Sequence, residues 1–335
     1  VKALVVRLDS FGDVLLAGPA VRAVAAHCAR VTMLCGPQGE PAARLLPGVD
    51  DVIVWPAPWE GVDPPTVAEA DVDGLVRHLR EEAFDVALVL TSFHQSPLPT
   101  ALLLRLAGVG RIGADSVDHP GSLLDVRHRR LPGRHEAEAA LDTAVAMGFT
   151  PPPGDDGRLR VLPPPDTIAL TGNGPYVVVH PGASAPARAW SPARCAEAVA
   201  LLADAGHRVV VTGGPGERDL TRRVSGDTAV DLGGMTRPRT LAGVLRTADV
   251  VVCGNTGPAH LAAAVGTPVV SLFAPVVPAE RWAPYGVPSV LLGDQSAPCA
   301  DSRARHCPVP GHPCLDEVTG QDVVQAVRKL LKERA

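Results

Sequence analysis

Lysine is almost missing from this 335-residue chain, standing only at Lys2, Lys329 and Lys332, so arginine carries nearly all the positive charge. Acids outnumber bases, for a formal net charge of −5, and aromatics make up only 3% of the residues. Without a basic stripe interleaved with aromatics, nucleic acid is not the expected partner. No stretch reaches the roughly 18 uninterrupted apolar residues that a membrane helix needs. The opening "VKALVVRLDS" reads as a strand, not as a signal peptide, which points to a cytoplasmic protein. The seven cysteines are odd in number and scattered, unlike a secreted disulfide framework. Cys28, Cys35, Cys195 and Cys253 lie in apolar contexts and read as small core residues. Also missing are a Ser-His-Asp order, a paired-carboxylate hydrolase pattern, H-E-x-x-H and an Asp-x-Asp metal-diphosphate motif. Cys299, His306, Cys307, His312 and Cys314 lie close together, but their C-x7-C-x6-C spacing fits no common zinc module, so no metal is expected. Scarce lysine with 33 glycines, 34 prolines and abundant alanine suggests a genome rich in G and C.

What is present is alternation. "KALVVRL" is a short apolar run of buried-strand type, and "VLLAGPAVRAVAAHC" follows with apolar positions at helical spacing. Strand-like and helix-like segments then alternate as far as "HEAEAALDTAVAMGF", restart at "YVVVHPGAS", and end in an amphipathic helix with Thr319 and Asp322 at its cap. Such alternation argues for parallel sheets with right-handed crossovers. A Pro- and Gly-rich stretch separates the two runs. We therefore expect two α/β domains of doubly wound type: residues 1–153, a linker over 154–174, and residues 175–335, whose last helix is placed to pack back on the first domain. Ligands of such sheets bind beyond the carboxyl ends of the strands, so the cleft between the domains is the expected active site.

Four strand-end loops carry the polar residues that matter. In "GNTGPAH", Thr256 or Gly257 suits an N-cap and Pro258 suits the first helical position. This is either a well-capped helix or an anion site, since a helix start aims free N–H groups and its positive dipole end at the loop. His260, one turn in, is either a structural histidine or a phosphate contact. "HPGASAPARAW" offers Gly182, the Ser184 hydroxyl and the cation of Arg188, a set able to neutralise a leaving diphosphate if Arg188 is not simply solvated. "TGGPGERD" brings glycines and Glu217, a candidate acceptor for ribose hydroxyls, although it lacks both the Walker lysine and a true G-x-G-x-x-G. In "RLDSFGDVLL", Asp13 opens a helix, either as a dipole partner or as a carboxylate able to take a proton from a hydroxyl.

Together these loops resemble glycosyltransferase family 9, the ADP-heptose:lipopolysaccharide heptosyltransferase family. The motifs are "VVRLDSFGDVLLAGPAVRAV", "VVVHPGASAPARAWSPARCAEAV", "VVVTGGPGERDL", "VVCGNTGPAHLAAAVGTPVVSLFAP" and the ending "CPVPGHPCLDEVTGQDV", in order over nearly the whole chain. The resemblance implies a GT-B fold, two doubly wound Rossmann-like domains facing across a cleft, with acceptor bound by the first and nucleotide-sugar by the second. It implies inverting, metal-independent transfer of heptose or a related sugar from an ADP-sugar, with no cofactor. Asp13 corresponds to the family's general base. Arg188 stands where "K-x-W" usually has lysine, keeping the charge and adding a bidentate grip. Ser184, Thr256, Gly257 and His260 correspond to diphosphate contacts and Glu217 to a ribose contact. Asn255, also placed at the donor, replaces the common Asp. Because "DVRHRRLPGR" is the only basic run, the expected acceptor is smaller than an anionic lipopolysaccharide core: a specialised-metabolite scaffold or another cell-envelope glycan, joined through a hydroxyl or amine. Lipopolysaccharide core is the competing acceptor, and a GT-B-like sugar-nucleotide epimerase the competing activity.

Overall fold

The computed structural model describes residues 1–61 and 63–334. Among the described residues, apolar, β-branched runs become twelve strands in two six-stranded sheets. The first unit, Val1–Leu162, holds β1 (Lys2–Arg7), β2 (Arg30–Cys35), β3 (Asp51–Val54), β4 (Val86–Val89), β5 (Arg111–Asp115) and β6 (Val126–His128). The second, Pro163–Ala335, holds β7 (Val177–His180), β8 (Val209–Gly213), β9 (Val230–Gly233), β10 (Val250–Gly254), β11 (Val269–Leu272) and β12 (Ser289–Leu292). Every pairing is parallel. Parallel strands need helical crossovers that cover both sheet faces, which is why β1 and β10 read as unbroken apolar runs.

The strand orders are β3-β2-β1-β4-β5-β6 and β12-β11-β10-β7-β8-β9. Counted from each unit's own first strand, both are 3-2-1-4-5-6, the doubly wound order whose ligand crevice opens where the winding reverses. The reversal falls between β1 and β4 and again between β7 and β10. Register then decides what meets there. Val6 pairs with Val89 and Cys253 with His180, so residues 8–13 emerge beside residues 90–95, and 181–188 beside 255–260.

The Pro- and Gly-rich stretch divides between the units. Asp155 accepts from two nitrogens of the Arg22 guanidinium, Nε and Nη2, at 2.6 and 2.9 Å, Arg22 also donates to the Arg158 carbonyl at 2.8 Å, and Leu162 N–H reaches the Leu45 carbonyl at 2.7 Å. The Arg22 hydrogen bonds hold the Asp155 carboxyl down at about 2. On the other side, a Cβ on Gly243 would lie 2.5 Å from the Pro165 carbonyl, so the chain after the boundary presses on the second unit. The terminal helix Gly320–Arg334 packs within that unit. Gly320 sits where a Cβ would meet Leu201 and the Ala198 backbone, and Val323, Val324, Val327 and Leu330 join the core beneath helix Pro192–Asp204. Its start is closed by Thr319 and Asp322, whose side chains and backbone N–H groups bond reciprocally. Among the described residues, no helix is long and apolar enough to cross a membrane.

Candidate active site

At the first switch point the strand ends on a charge. Arg7 closes β1 and is 1% exposed. A buried guanidinium is tolerated only when its charge is paired and hydrogen-bonded, and here acids gather around Nε and Nη2. Asp9 accepts from both at 2.6 and 3.0 Å, Ser92 Oγ accepts at 2.8 Å, Asp13 Oδ1 lies at 3.3 Å and Glu136 Oε2 at 3.8 Å. Ser92 Oγ in turn donates to Asp9 at 3.0 Å. Burial works against the charge on Arg7, and Asp9, Asp13 and Glu136 more than restore it, so its pKa rises. Burial pushes the Asp9 carboxyl up to about 6 in spite of Arg7, and burial together with Asp9 pushes Glu60 up to about 7.

Asp13 is the third residue of helix Phe11–Leu16. Its Oδ2 accepts the Ser10 hydroxyl at 2.6 Å, its Oδ1 faces Arg7, and the side chain stays 17% exposed. It thus occupies the first turn of a helix and also presents a carboxylate at the switch point. Sequence reasoning passed over Arg7, Asp9, Ser92, Glu60, Gln95 and Glu136. The one signal within reach was "VVRLD", a buried-strand run ending in adjacent opposite charges.

At the second switch point four loops converge. His180 ends β7 almost buried, with Nδ1 3.0 Å from Thr212 Oγ1 and Nε2 4.0 Å from Glu217 Oε2. Burial lowers its pKa against the pull of Glu217, favouring neutral imidazole. Glu217 accepts the Gly214 N–H at 2.6 Å and lies so close to Gly182 that a Cβ there would fall 1.9 Å from its Oε1. Glu217 is thereby fixed against the loop that carries Ser184, which is exposed. Arg188 ends the one-turn helix Pro186–Arg188, and its carbonyl lies against Gly254, where a Cβ would come within 3.0 Å. The Arg188 loop and the Asn255–Thr256 turn therefore touch.

Thr256 caps helix Gly257–Ala264 in extended conformation but makes no side-chain cap bond. Its Oγ1 is buried and has no hydrogen-bond partner among the described residues. A buried hydroxyl left unsatisfied costs about 1–3 kcal/mol, and at a helix start it calls for an acceptor such as a phosphate oxygen. His260 is buried one turn further in. Asn255, placed at the donor by sequence, instead commits its amide to backbone: Nδ2 donates to the Ala274 carbonyl at 3.2 Å and Oδ1 accepts the Ala274 N–H at 3.3 Å. This reciprocal pair ties the turn to the chain after β11, and an Asp could make only the accepting half.

The cysteine-bearing segment supports the same site from behind. Arg305 carbonyl accepts the Ala187 N–H at 2.9 Å, His312 Nε2 bonds the Ala187 carbonyl at 3.1 Å, and Trp190 Nε1 donates to the Leu315 carbonyl at 3.0 Å. Cys299 and Cys314 are buried in this unit's apolar core. Burial, aided by Cys299 and Cys307, pushes the Cys314 thiol up to about 12. Among the described residues no group of three His, Cys, Asp or Glu side chains is arranged to hold a metal.

The model of glycosyltransferase family 9 (heptosyltransferase) matches residues 72–312, well over half the chain. The chain belongs to this family. Lipopolysaccharide heptosyltransferase 3 of Escherichia coli strain K12 is 30% identical over 169 residues, 48% of this chain and 47% of that protein. The chain thus aligns with about half the length of the curated relatives it matches. Two solved structures share the fold. A glycosyltransferase family 9 protein from Veillonella parvula has a TM-score of 0.77 at 16% identity, covering 99% of this chain and 97% of its own. The E. coli ADP-heptose lps heptosyltransferase II has a TM-score of 0.75 at 19% identity, covering all of both chains. The architecture is that of a GT-B family 9 member: two doubly wound units, each with a polar constellation at its switch point.

Proposed function

We propose that this family 9 member is an inverting heptosyltransferase that works without a metal, taking heptose or a related sugar from an ADP-sugar. In this reading the second unit binds the donor and the first supplies the base. The unpartnered Thr256 hydroxyl at a helix start, on the turn touched by the loop that carries Arg188, carries the proposal, because a donor hydroxyl and a cation suit a diphosphate. Thr256 Oγ and the Gly257 N–H donate to phosphate oxygens, with His260 one turn beyond and Ser184 on the facing loop. Arg188 neutralises the charge that develops on the departing ADP, the role a divalent ion would otherwise fill. Glu217 accepts from a ribose hydroxyl.

Asp13 takes the proton from an acceptor hydroxyl as that oxygen bonds to the sugar's anomeric carbon. The bond from that carbon to the diphosphate oxygen breaks on the opposite face, and ADP leaves with the electron pair. Configuration at the anomeric carbon therefore inverts. Neither step needs a bound cofactor, and the chemistry suits a cytoplasmic supply of nucleotide-sugar.

The basic run supports a small acceptor. Arg127 donates to the Ser116 and Val117 carbonyls, Arg130 is held by Asp115, Glu136 and the Thr91 carbonyl, and Arg134 pairs with Asp142 and Glu138. Three of the run's four arginines are thus engaged within their own unit and less available to read a polyanion, while Arg129 stays exposed. The name of the curated relative favours a second reading, transfer to lipopolysaccharide core. Calorimetry with ADP-heptose, ADP-glucose, UDP-glucose and GDP-mannose in EDTA tests the donor: tight binding of ADP-heptose alone is expected, and preference for another nucleotide-sugar defeats the proposal. Efficient turnover of a lipopolysaccharide-type oligosaccharide would defeat the small acceptor.

A further inference from the structure

The transfer chemistry uses Asp13 and leaves the rest of its acidic surroundings unexplained. Glu60, half-buried on the loop after β3, accepts from Gln95 Nε2 with both carboxylate oxygens, at 2.7 and 2.8 Å. Gln95 Oε1 accepts the Ser92 N–H at 2.7 Å, and Ser92 Oγ is shared by Arg7 and Asp9. Glu60 is therefore anchored to the loop that faces Asp9 and Asp13, and it senses both charges. Further in, Glu136 Oε2 is buried, directed at Arg7, and has no hydrogen-bond partner among the described residues. Asp9, Asp13 and Glu136 thus surround Arg7, Glu60 is held by the neighbouring Gln95, and Arg130 is shared by Glu136 and Asp115. Carboxyl groups outnumber guanidiniums at the place where the proposed function brings the acceptor. Aromatic residues, scarce in this chain, adjoin these groups in sequence. Trp59 adjoins Glu60 and packs edge-on to Trp55 at 5.3 Å, and Phe93, 39% exposed, follows Ser92.

We infer that the acceptor is a polyhydroxylated molecule bearing a protonated amine, an amino sugar or aminocyclitol, and that Glu60 is the residue that selects it. The inference rests on the transferase reading above and names its acceptor class. An ammonium donates to Glu60 and relieves the crowding of carboxylates, the aromatic rings take the apolar face of the ring and add cation–π attraction, and a neighbouring hydroxyl of the same molecule is the nucleophile that gives its proton to Asp13. A phosphate or carboxylate on the acceptor meets repulsion instead.

The test uses matched pairs on the full chain: 2-deoxystreptamine against myo-inositol, and methyl glucosaminide against methyl glucoside. Acceptor binding is measured by calorimetry on ADP-loaded protein, and kcat/KM by ADP release from ADP-heptose. In at least one pair the amine is expected to win by about tenfold or more, the lower range for a charge-assisted hydrogen bond. Glu60→Gln should erase that preference through KM while donor affinity stays unchanged. Equal binding or no binding in both pairs, or a preference that survives Glu60→Gln, overturns the inference. Failure of the wild-type protein to bind ADP-heptose would instead bring down the transferase reading.

Discussion

Restoring the acid commonly found at position 255 should damage this protein, and pH should control how much. Asn255 is 5% exposed and holds the Ala274 backbone by one donated and one accepted hydrogen bond. In Asn255→Asp the accepted bond survives, while the donated bond becomes a carboxylate oxygen facing a carbonyl oxygen across 3.2 Å. The carbonyl left without a donor costs about 1–3 kcal/mol, and burying the new charge adds to this until a proton is taken up. The total is about 2–4 kcal/mol, or roughly 5–12 °C in Tm for a unit of this size. The sign with pH follows from linkage. Burial and the facing carbonyl raise the introduced carboxyl's folded-state pKa above its unfolded value near ~3.9, so the folded state binds the proton more tightly. The penalty is therefore full above the folded pKa and shrinks as pH falls, because the neutral acid can again donate to Ala274. Urea titrations of both proteins at pH 4.5 and pH 8 measure it, and the stability gap should widen at pH 8. A gap that is equal at both pH values, or absent, would refute the reciprocal pair as the reason for asparagine here.

Two further outcomes follow from the switch points and one from the Pro- and Gly-rich stretch. Asp13→Asn should lower transfer by about a thousandfold, within the usual range for a removed general base, while the calorimetric affinity for ADP-heptose holds; a matching loss of affinity would place Asp13 in donor binding. Gly182→Ala drives a methyl into Glu217, so ADP affinity should fall by about tenfold or more, the scale of one charge-assisted hydrogen bond. Unchanged affinity would remove Glu217 from the ribose site. Arg22→Ala should flatten the acid limb of stability. The depressed Asp155 pKa contributes stability that is present above pH 4 and lost as pH falls toward 2, and chemical denaturation across that range should show the wild-type slope disappear in the variant.

The parts of this molecule that were legible in sequence are those whose cause is local. Strand and helix alternation, the Thr319–Asp322 cap and the polar turns at strand ends all follow from periodicity and capping over a few residues. What escaped depends on which strands become neighbours. Ser92 meets Asp9 and Arg7 only because β4 lies beside β1, and no spacing in the sequence announces that adjacency. Asn255 shows the same limit. It was placed with the donor because it stands in the polar turn, whereas its amide is bound by Ala274 beyond the next strand. The cysteine cluster was set aside as a metal module on spacing alone. Its position behind the Arg188 loop needed the fold, since the contacts of Ala187 and Trp190 with residues 305–315 cross more than a hundred positions of chain.

Both halves of the molecule solve the same winding problem, yet they end it with opposite electrostatics. After the first strand of one sheet come Asp9 and Asp13, and after the corresponding strand of the other comes Arg188. On the proposed function, a single architecture is written twice, once to take a proton and once to hold phosphate. If each ligand is read by loops of its own sheet, as proposed, changes in one set leave the framework of the other intact. Lineages of such proteins can then exchange acceptors while keeping a common activated sugar, and chimeras cut between Leu162 and Pro163 are the natural way to retrace that divergence.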